Sequence, residues 1–489
     1  MLNSTTAQSS GAFSAYELAN LALDNNSTRV LFRWQRLFAH TTQLVVHPYL
    51  LMQQKDKNMR KIFAFTLCLL TLFLLSSTAS LAQTANQPTH TGHIMTPQSS
   101  IALPGDAGVN AHTNIKLWVP ESGQFGRAAQ PQELPPFAGF FFETPASIAC
   151  VYQLVNENAP PFDHSCNPNV TTQNPTGGGG AIALVEAFDD PTAASDLATF
   201  STQFGLPAAN LTVVFANGTA PTTVNPGPDP TGGGELETSL DIEWAHAMAP
   251  NAKIFLVEAK SLNLVQLFNA AILASQLVVQ NGGGEVSMSF GSGEFTQETE
   301  FDVAFTTPGV VYFASAGDSP GVLYPSASPN VISAGGTTLS RNSTTGSFEL
   351  ENTWQDAGGG PSQVEPRPAF QNGIRNIVGS FRGTPDFSLD SNPNTGVWIF
   401  DSNPVFGTGW FVVGGTSVAA PSLAGIVNSA GRFRKSSQAE NTEIYNNLFD
   451  PLAFNDIQFG TCGLNIGNFA VPGWDFCTGV GSDRGHFGK

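Results

Sequence analysis

The sequence around Ser417 has the composition of a catalytic serine turn. The stretch GGTSVAAP at 414–421 follows the apolar run 410–413 and begins a helical pattern that continues to Ala430. Paired glycines permit a tight turn, and a serine at the start of a helix lies where a backbone N–H and the helix dipole can stabilise an oxyanion. The pattern predicts a nucleophile, although a serine that only caps a helix is the commoner explanation of such a motif.

Two carboxylates four residues apart are candidates for the base that this serine needs. Glu237 and Asp241 lie on a predicted helix that runs towards Pro250, and the spacing places both on one face. Like charges at this distance favour a shared proton, so one pKa rises and the pair can accept a proton from serine in acid. A solvated helix face is the alternative, but the apolar neighbours of the pair indicate burial, where carboxylates are kept when paired or functional.

No histidine has a convincing position for this role. His246 lies five residues after Asp241, and Glu243 lies two residues after it, so at about 100° per residue both point away from the catalytic face. We therefore interpret both as structural. The alternative is a serine hydrolase that works at neutral pH through His246.

A third acidic candidate, Asp318, follows the predicted strand Val310–Ala314 in the sequence SAGD. Active sites of α/β proteins lie at the carboxyl ends of parallel strands, so this position favours a role in a site. An aspartate in an ordinary turn after a strand is the alternative interpretation.

Short β-branched runs separated by helical patterns would position these residues. The alternation predicts an α/β class with a parallel sheet that is covered by helices on both faces. The helical segments include Ala193–Phe204 and Leu262–Val279. The predicted strands are Ala181–Val185, Leu211–Phe215, Ile254–Val257, Val286–Ser289, Val310–Ala314 and Val331–Ala334.

The three motifs in this order resemble the sedolisin family, serine-carboxyl peptidases with a subtilisin-like fold, over about 144–481. The resemblance implies an acid-active serine endopeptidase that hydrolyses proteins or peptides. We expect the enzyme to be a monomer. It implies that Ser417 attacks the peptide carbonyl and that Glu237 acts as general base and then acid. It further implies that Asp241 orients Glu237 and that a protonated Asp318 donates to the oxyanion, for which a carboxyl group must be neutral.

Two further segments gain a role only from the resemblance. Residues 287–291, SMSFG, resemble the family's substrate-binding strand, which would pair with the backbone of an extended peptide. Residues near the C-terminus resemble its calcium site and imply one structural Ca²⁺ ion. The ligands would be the carboxylates of Asp456 and Asp475 and the carbonyls of Ile457, Val471 and Gly473, all of which are hard oxygen donors.

The N-terminal part of the chain predicts export. The apolar run 62–75 follows a basic stretch and precedes the small-residue sequence SLA at 80–82, so 59–82 is interpreted as a signal peptide that is cleaved before Gln83. An uncleaved anchor is the alternative. Residues 1–58 would then be an extension upstream of the true start codon, and the product would be secreted, either extracellular or periplasmic.

The exported chain divides into two predicted parts. Residues 83–172, rich in Pro, Thr, Asn and Gln, are expected to form an extended N-terminal arm or a short pro-segment. They are too few for the long prodomain usual in the family. Residues 173–489 would form the peptidase domain with its C-terminal calcium loop.

Charge and cysteine content limit the remaining possibilities. A net charge of -18 disfavours binding to nucleic acid and to anionic membranes. Cys68 lies in the signal peptide, and the other four cysteines allow three disulfide pairings, of which Cys150–Cys166 and Cys462–Cys477 are the simplest. Zinc binding is the weaker interpretation because no CxxC spacing is present. A secreted peptide-binding module without catalysis is the competing function.

Overall fold

The computed structural model describes residues 91–121, 134–137, 139–155, 165–463 and 468–489. The predicted extension at 1–58 and the signal peptide or anchor at 59–82 lie outside these residues. Among the helices of the described part, none combines the length and the apolar character needed to cross a membrane.

Twenty strands occur in the described residues. In chain order they are β1 (Gly92–Met95), β2 (His112–Thr113), β3 (Lys116–Pro120), β4 (Ala181–Ala187), β5 (Asn210–Asn217), β6 (Ala220–Thr222), β7 (Lys253–Ala259), β8 (Gly284–Met288), β9 (Phe290–Gly293), β10 (Val310–Ser315), β11 (Leu323–Tyr324), β12 (Ile332–Arg341), β13 (Phe348–Thr353), β14 (Gly360–Pro366), β15 (Phe381–Thr384), β16 (Phe387–Asp390), β17 (Val397–Asn403), β18 (Gly407–Gly414), β19 (Phe454–Asn455) and β20 (Ser482–Asp483).

Seven α-helices accompany these strands in the same part of the chain. They are α1 (Pro145–Val151), α2 (Ala193–Phe204), α3 (Gly233–Met248), α4 (Leu264–Gln280), α5 (Arg375–Val378), α6 (Thr416–Ser429) and α7 (Ser437–Asn446). The predicted strands and helices of the core all occur, with ends that differ from the predictions by a few residues.

The main sheet confirms the predicted α/β class. Its strand order is β19-β20-β16-β12-β10-β8-β4-β7-β5-β6, with β13 paired to β12. The eight strands from β20 to β5 in this order are parallel, while β6, β13 and β19 pair antiparallel. The sheet is therefore a parallel core with antiparallel additions, as in other α/β folds.

Both faces of the sheet are buried, and the alternation of side chains along β4 shows how. Ile182 and Leu184 belong to the hydrophobic core that contains α3 and α6. Ala183 and Val185 point to the opposite face and belong to a second core, which contains α4. Successive side chains of a strand point to opposite faces, so a strand with helices on both sides must be apolar throughout.

Residues 91–155 contain more strands and helices than we expected of an extended arm at 83–172. β1 and β3 extend a smaller sheet, with order β1-β3-β18-β17, and β3 pairs directly with the strand that leads to Ser417. Trp118 and Phe142 are buried, with ring centroids 4.8 Å apart, in the core that contains α3 and α6. Scattered aromatic residues give little periodicity, which explains why the sequence did not predict these elements.

The two sequence-local disulfides form, which confirms the simplest pairing. Cys150 bonds to Cys166, and Cys462 bonds to Cys477. The first joins the end of α1 to the segment that precedes β4, and the second closes a loop next to the C-terminal strand β20. All four cysteines of the predicted mature chain are thereby used.

A close contact between α3 and α6 fixes the distance between the carboxylate pair and Ser417. A Cβ atom on Gly425 would lie 2.6 Å from the Cβ of Met248 and 3.0 Å from the carbonyl oxygen of Ala245. Both of these atoms lie on or next to the helix backbone, so they cannot rotate away as the end of a long side chain could. Glycine at this position therefore permits the two helices to pack at this separation.

We expect Gly425→Ala to separate α3 from α6 and to lower the free energy of unfolding by about 1–3 kcal/mol, as overpacking of a dense core does. Gly373→Ala is the matched control, because a Cβ there meets nothing within 4 Å, and it should change stability by less than about 0.5 kcal/mol. Chemical denaturation of both variants measures the difference. Equal stability of the two variants would contradict the proposed close packing.

Candidate active site

Ser417 lies at the start of α6, directly after the turn that ends β18. Gly415 is the N-cap of this helix with a φ of +107°, a conformation that L side chains rarely adopt. The serine side chain is fully buried, and its Oγ donates to the carbonyl oxygen of Ser289 at 3.3 Å. The backbone N–H of Ser417 lies at the free end of the helix and donates to the carbonyl of Asn114 at 3.1 Å. This is the strand, turn and helix arrangement that the sequence predicted.

Glu237 and Asp241 both lie on α3 and are fully buried beside Ser417. Burial raises the pKa of Glu237 well above its usual value, and the charge of Asp241 raises it further. The nearby hydroxyls of Ser417 and Thr113 lower the pKa of Glu237, a smaller and opposite effect. Within the part of the chain that the structure describes, neither carboxylate oxygen of Glu237 has a hydrogen bond of regular geometry. Such contacts are often long before substrate binds and tighten in the complex.

Ser289 connects Asp241 to the nucleophile. Its hydroxyl donates to either oxygen of Asp241, each at 2.8 Å, while its carbonyl accepts from Ser417. Burial raises the pKa of Asp241 to about 7, and hydrogen bonds with Glu186 and Ser289 oppose this effect. Asp241 is therefore held in one orientation by Ser289, the residue that follows β8.

Glu186 is a fourth member of this network that the sequence did not reveal. It lies near the carboxyl end of β4 and is almost fully buried. Burial raises its pKa well above the usual value, and the charges of Asp241 and Glu237 raise it further. A signal existed in the sequence IALVEAF, where one glutamate interrupts an apolar strand at the end where α/β sites lie. Three carboxyl groups thus share protons as one unit rather than as separate acids.

Asp318 has two oxygen atoms with different environments. Its Oδ1 accepts hydrogen bonds from the N–H of Thr416 at 2.7 Å and from the Thr416 hydroxyl at 3.0 Å, whereas its Oδ2 is buried without a hydrogen-bond partner among the described residues. Burial raises the pKa of Asp318 to about 7, opposed first by the positive charge of Lys116. Since Oδ1 already accepts two hydrogen bonds, a proton would lie on Oδ2 and make it a donor.

Oδ2 of Asp318 lies next to the turn that precedes Ser417. A methyl group on Gly415 would lie 2.5 Å from Oδ2 of Asp318 and 2.1 Å from the carbonyl oxygen of Asn114. The small space beside Gly415 therefore brings together a carboxyl group, a backbone carbonyl and the N–H of Ser417. An oxyanion in this space would have two donors when Asp318 is protonated.

His246, the alternative candidate for the base, lies in a different environment from Glu237. Nε2 of His246 lies 2.9 Å from the carbonyl oxygen of Pro207, and burial lowers the pKa of His246. Glu243 accepts a hydrogen bond from the N–H of Phe400 at 3.1 Å. Both side chains thus point away from Ser417, towards Pro207 and Phe400. This is the direction that the helical spacing predicted.

The predicted calcium ligands lie on two adjacent segments near the C-terminus. Asp456 accepts a hydrogen bond from the N–H of Gly473 at 3.0 Å, and Asp475 accepts one from the N–H of Val471 at 3.1 Å. One loop therefore contacts both carboxylates, and Ile457 is buried beside it. Among the described residues, no group of three or more His, Cys, Asp or Glu side chains could hold a metal. The predicted set has only two carboxylates and would depend on three backbone carbonyls.

Comparison with known proteins identifies relatives over much of the chain. No family model matches it. Kumamolisin from Bacillus sp. (strain MN-32) is 32% identical over 350 residues, which are 63% of this chain and 59% of kumamolisin. Sedolisin from Pseudomonas sp. (strain 101) is 30% identical over 179 residues, 34% of this chain and 29% of sedolisin. Tripeptidyl-peptidase 1 from Dictyostelium discoideum is 26% identical over 359 residues, 64% of this chain and 55% of that protein. The chain spans less than two thirds of the length of each relative.

A solved structure has the same fold. Pseudomonas sedolisin, a serine-carboxyl proteinase in complex with two molecules of pseudo-iodotyrostatin, matches with a TM-score of 0.56 and 23% identity. The match covers 70% of this chain and 95% of that structure. The parallel sheet with helices on both faces is therefore the fold of that proteinase.

The buried carboxyls predict that stability depends on pH in the opposite sense to most proteins. The folded-state pKa of Asp241 is about 7, against a usual value of 3.8, so the folded chain binds this proton more tightly than the unfolded chain does. Its contribution to stability is complete below about pH 4 and is lost as the pH rises through about 7. We expect the free energy of unfolding, measured by denaturant titration, to fall from about pH 4 to about pH 8.

Asp241→Asn keeps this side chain neutral, so the fall in stability with pH should be smaller in that variant. Glu300→Gln is the control, since Glu300 is exposed on a short helical turn, and it should follow the unmodified chain. Identical pH dependence in Asp241→Asn and Glu300→Gln would contradict a raised pKa at Asp241.

Proposed function

Because the chain belongs to the sedolisin family, we propose that it is a secreted, acid-active serine endopeptidase that hydrolyses proteins or peptides. The observation that carries the proposal is the arrangement around Ser417. A serine at a helix N-terminus lies beside the buried carboxyls of Glu237 and Asp241 on one side and Asp318 on the other. These are a nucleophile, a proton acceptor and an oxyanion donor, which together suffice for acyl transfer.

Proton transfer begins at Glu237. As an ionised carboxylate it takes the proton of Ser417 while Oγ attacks the peptide carbonyl, and it then returns the proton to the leaving amine. Asp241 acts through Glu237, because the two carboxyls share protons as one unit and a proton held by Asp241 lets Glu237 ionise without a like charge beside it. A raised pKa makes Glu237 a stronger base than an ordinary glutamate, so it can compete for a serine proton.

The developing oxyanion would be stabilised by two groups. One is the backbone N–H of Ser417, which needs no change of protonation. The other is Oδ2 of Asp318, which donates only while it carries a proton. With its pKa at about 7, Asp318 is a donor in acid and becomes an anion that repels the oxyanion above neutrality.

Substrate would bind through its backbone. β9 follows directly after Ser289 and offers an extended strand beside the nucleophile. β9 is the middle strand of the order β11-β9-β2, so a peptide would pair with it in the place that β2 takes in this structure. Such pairing depends on main-chain hydrogen bonds, which suits protein or peptide substrates of many sequences. The two disulfides support secretion, because disulfides persist in oxidising compartments. We further propose that the secreted enzyme acts as a monomer.

We expect hydrolysis of a denatured protein to be lost as the pH rises through about 7, where Asp318 of the unmodified chain ionises. Asp318→Asn keeps an N–H donor at every pH, so its remaining activity should persist above neutrality. Its activity in acid should fall by no more than about 10²–10³-fold, the usual effect of a weakened oxyanion donor. Measured profiles of rate against pH for the two proteins test this difference.

Two further variants separate this mechanism from its alternatives. Ser417→Ala should abolish hydrolysis, and Glu237→Gln should lower it by about 10²–10⁴-fold, the usual contribution of an acid–base group. Activity that peaks near neutrality and survives Glu237→Gln would overturn the serine-carboxylate mechanism. A folded chain that binds peptides without cleaving them at any pH would instead be a binding module.

We also propose that the C-terminal loop binds one structural Ca²⁺ ion. The carboxylates of Asp456 and Asp475 and the carbonyls of Ile457, Val471 and Gly473 are hard oxygen donors, which suit calcium. The hydrogen bonds from residues 471 and 473 to the two carboxylates already hold the loop against both acids. Bound calcium would supply only stability to this loop.

We expect a calcium chelator to lower the Tm of the unmodified chain but not of Asp456→Asn, which lacks one ligand charge. Thr442→Ala, a change at an exposed position on α7, should respond to the chelator as the unmodified chain does. Differential scanning calorimetry with and without Ca²⁺ measures both effects. A Tm that is insensitive to calcium in the unmodified chain would rule out the site.

A further inference from the structure

Thr416, the residue before the nucleophile, makes three hydrogen bonds with the turn that carries Asp318. The N–H of Gly317 donates to the Thr416 hydroxyl at 2.9 Å. That hydroxyl lies 3.0 Å from Oδ1 of Asp318, and the Thr416 N–H donates to the same oxygen at 2.7 Å. Thr416 is completely buried, so bulk water does not compete for these bonds. Two adjacent residues of one turn are therefore bound to the first residue of α6.

The bond from Gly317 fixes the direction of the Thr416 hydroxyl. A backbone N–H can only donate, so the threonine oxygen is the acceptor in that pair. The single proton of the hydroxyl is then left for Oδ1 of Asp318. The turn favours glycine at this position, because Gly317 has a φ of +113°. One backbone N–H thus makes Thr416 a donor to the acid.

Two donors on one oxygen determine where the acid proton of Asp318 lies. Oδ1 accepts from both the N–H and the O–H of Thr416, and a proton on that oxygen would face both donors. The proton of the neutral acid therefore lies on Oδ2. A Cβ on Gly415 would lie 2.5 Å from Oδ2, so the proton is on the side of the carboxyl group that faces the turn before Ser417.

The bond to the Thr416 N–H also caps α6. The N-cap residue, Gly415, has no side chain, so the free N–H groups at the start of the helix need an acceptor from another element. Oδ1 of Asp318 is that acceptor for Thr416, although the two residues are 98 positions apart in the sequence. One oxygen of the carboxyl group thus stabilises the helix, and the other remains for chemistry.

We propose that Thr416 is a positioning residue for the oxyanion donor, and that it acts through Asp318 by directing the acid proton of this residue to Oδ2. This inference rests on the proposed peptidase function. Without the hydroxyl, Oδ1 would keep one donor instead of two, and the proton would spend part of its time on Oδ1. A carboxyl group in that state presents an acceptor, rather than a donor, to the oxyanion.

The hydroxyl also influences the pH at which Asp318 loses its proton. Burial raises the pKa of Asp318 to about 7, and the charge of Lys116 and the two hydrogen bonds from Thr416 oppose this increase. The charge of Asp356 adds to it. Lys116 on β3 and Asp356 form an ion pair at 3.3 Å, and Glu237 interacts with Asp318 from α3. Removal of the hydroxyl alone leaves these charges in place and raises the pKa, because the ionised form loses a donor.

The test measures kcat and KM of the full chain for hydrolysis of a denatured protein from about pH 3 to about pH 9, where Asp318 with a raised pKa is ionised. Thr416→Val keeps the shape and the backbone N–H but removes the hydroxyl. We expect its kcat in acid to fall by about 10-fold, less than the 10²–10³-fold effect of losing an oxyanion donor outright, with KM unchanged. Its loss of activity at high pH should move upward by about 1 pH unit, since a hydrogen bond to a charged group has roughly that effect.

Thr416→Ser keeps the hydroxyl and should restore both the kcat and the pH limit of the unmodified chain. Thr416→Ala removes the same hydroxyl without adding bulk, and it takes the place of the valine variant should that variant not fold. Thr337→Val is the matched control, because Thr337 is a completely buried threonine whose hydroxyl donates to another carboxylate, that of Glu351. Its pH limit should equal that of the unmodified chain.

The direction of the change separates positioning from a general loss of stability. The folded chain is expected to lose stability as the pH rises, so destabilisation alone would move the upper pH limit of activity downward. In Asp318→Asn, the added change Thr416→Val should produce no shift, because no acid is left to ionise at this position. A shift that persists in the double variant would overturn the inference, since Thr416 would then act through another group.

The same measurements separate this inference from the proposed function. An unmodified chain that digests the denatured protein in acid, together with a Thr416→Val variant of equal kcat and equal pH limit, would overturn the inference and leave the function intact. A lower kcat with an upward shift, both reversed in Thr416→Ser, would support the inference. No hydrolysis by the unmodified chain at any pH would overturn both proposals.

Discussion

A carboxyl group inside a protein must be neutral, hydrogen-bonded or paired with a cation, and this requirement governs the centre of the molecule. Glu186 from β4, Glu237 and Asp241 from α3, and Asp318 from the turn after β10 are brought together near Ser417 at the start of α6. No salt bridge neutralises them among the described residues. The alternative is to retain protons, which their raised pKa values allow. The chemistry of the site and the stability of the fold therefore respond to the same protons.

The parallel sheet and the helix contact supply the positions that this arrangement needs. The carboxyl ends of the neighbouring strands β4, β8 and β10 lie at the same side of the sheet, so Glu186 near the end of β4, Ser289 after β8 and Asp318 after β10 are placed there together. The close approach of α3 to α6 at Gly425 brings the carboxylate pair to the start of α6. The hydrogen bonds of Ser289 alone would not hold these groups together, since they come from several separate strands and helices.

Much of this could be predicted from the sequence, because the relevant patterns are local. The i,i+4 spacing of Glu237 and Asp241, the glycine turn before Ser417 and the apolar strands each depend on neighbouring residues. Glu186 was missed because one acid in an apolar strand has no local pattern, and its partners come from α3. The pairing of residues 112–116 was also missed, since β2 and β3 pair with strands about 180 and 300 residues away. Pairing over such distances cannot be predicted from short periodicity.

The position of β3 also has a consequence for shortened forms of the protein. β18, which leads directly to Ser417, lies between β17 and β3 in the smaller sheet. A recombinant chain that began at α1 would lack β1 and β3, so one side of β18 would expose unpaired N–H and C=O groups. Exposed strand edges pair readily with other chains and promote aggregation. The upstream residues thus protect the colloidal solubility of the domain.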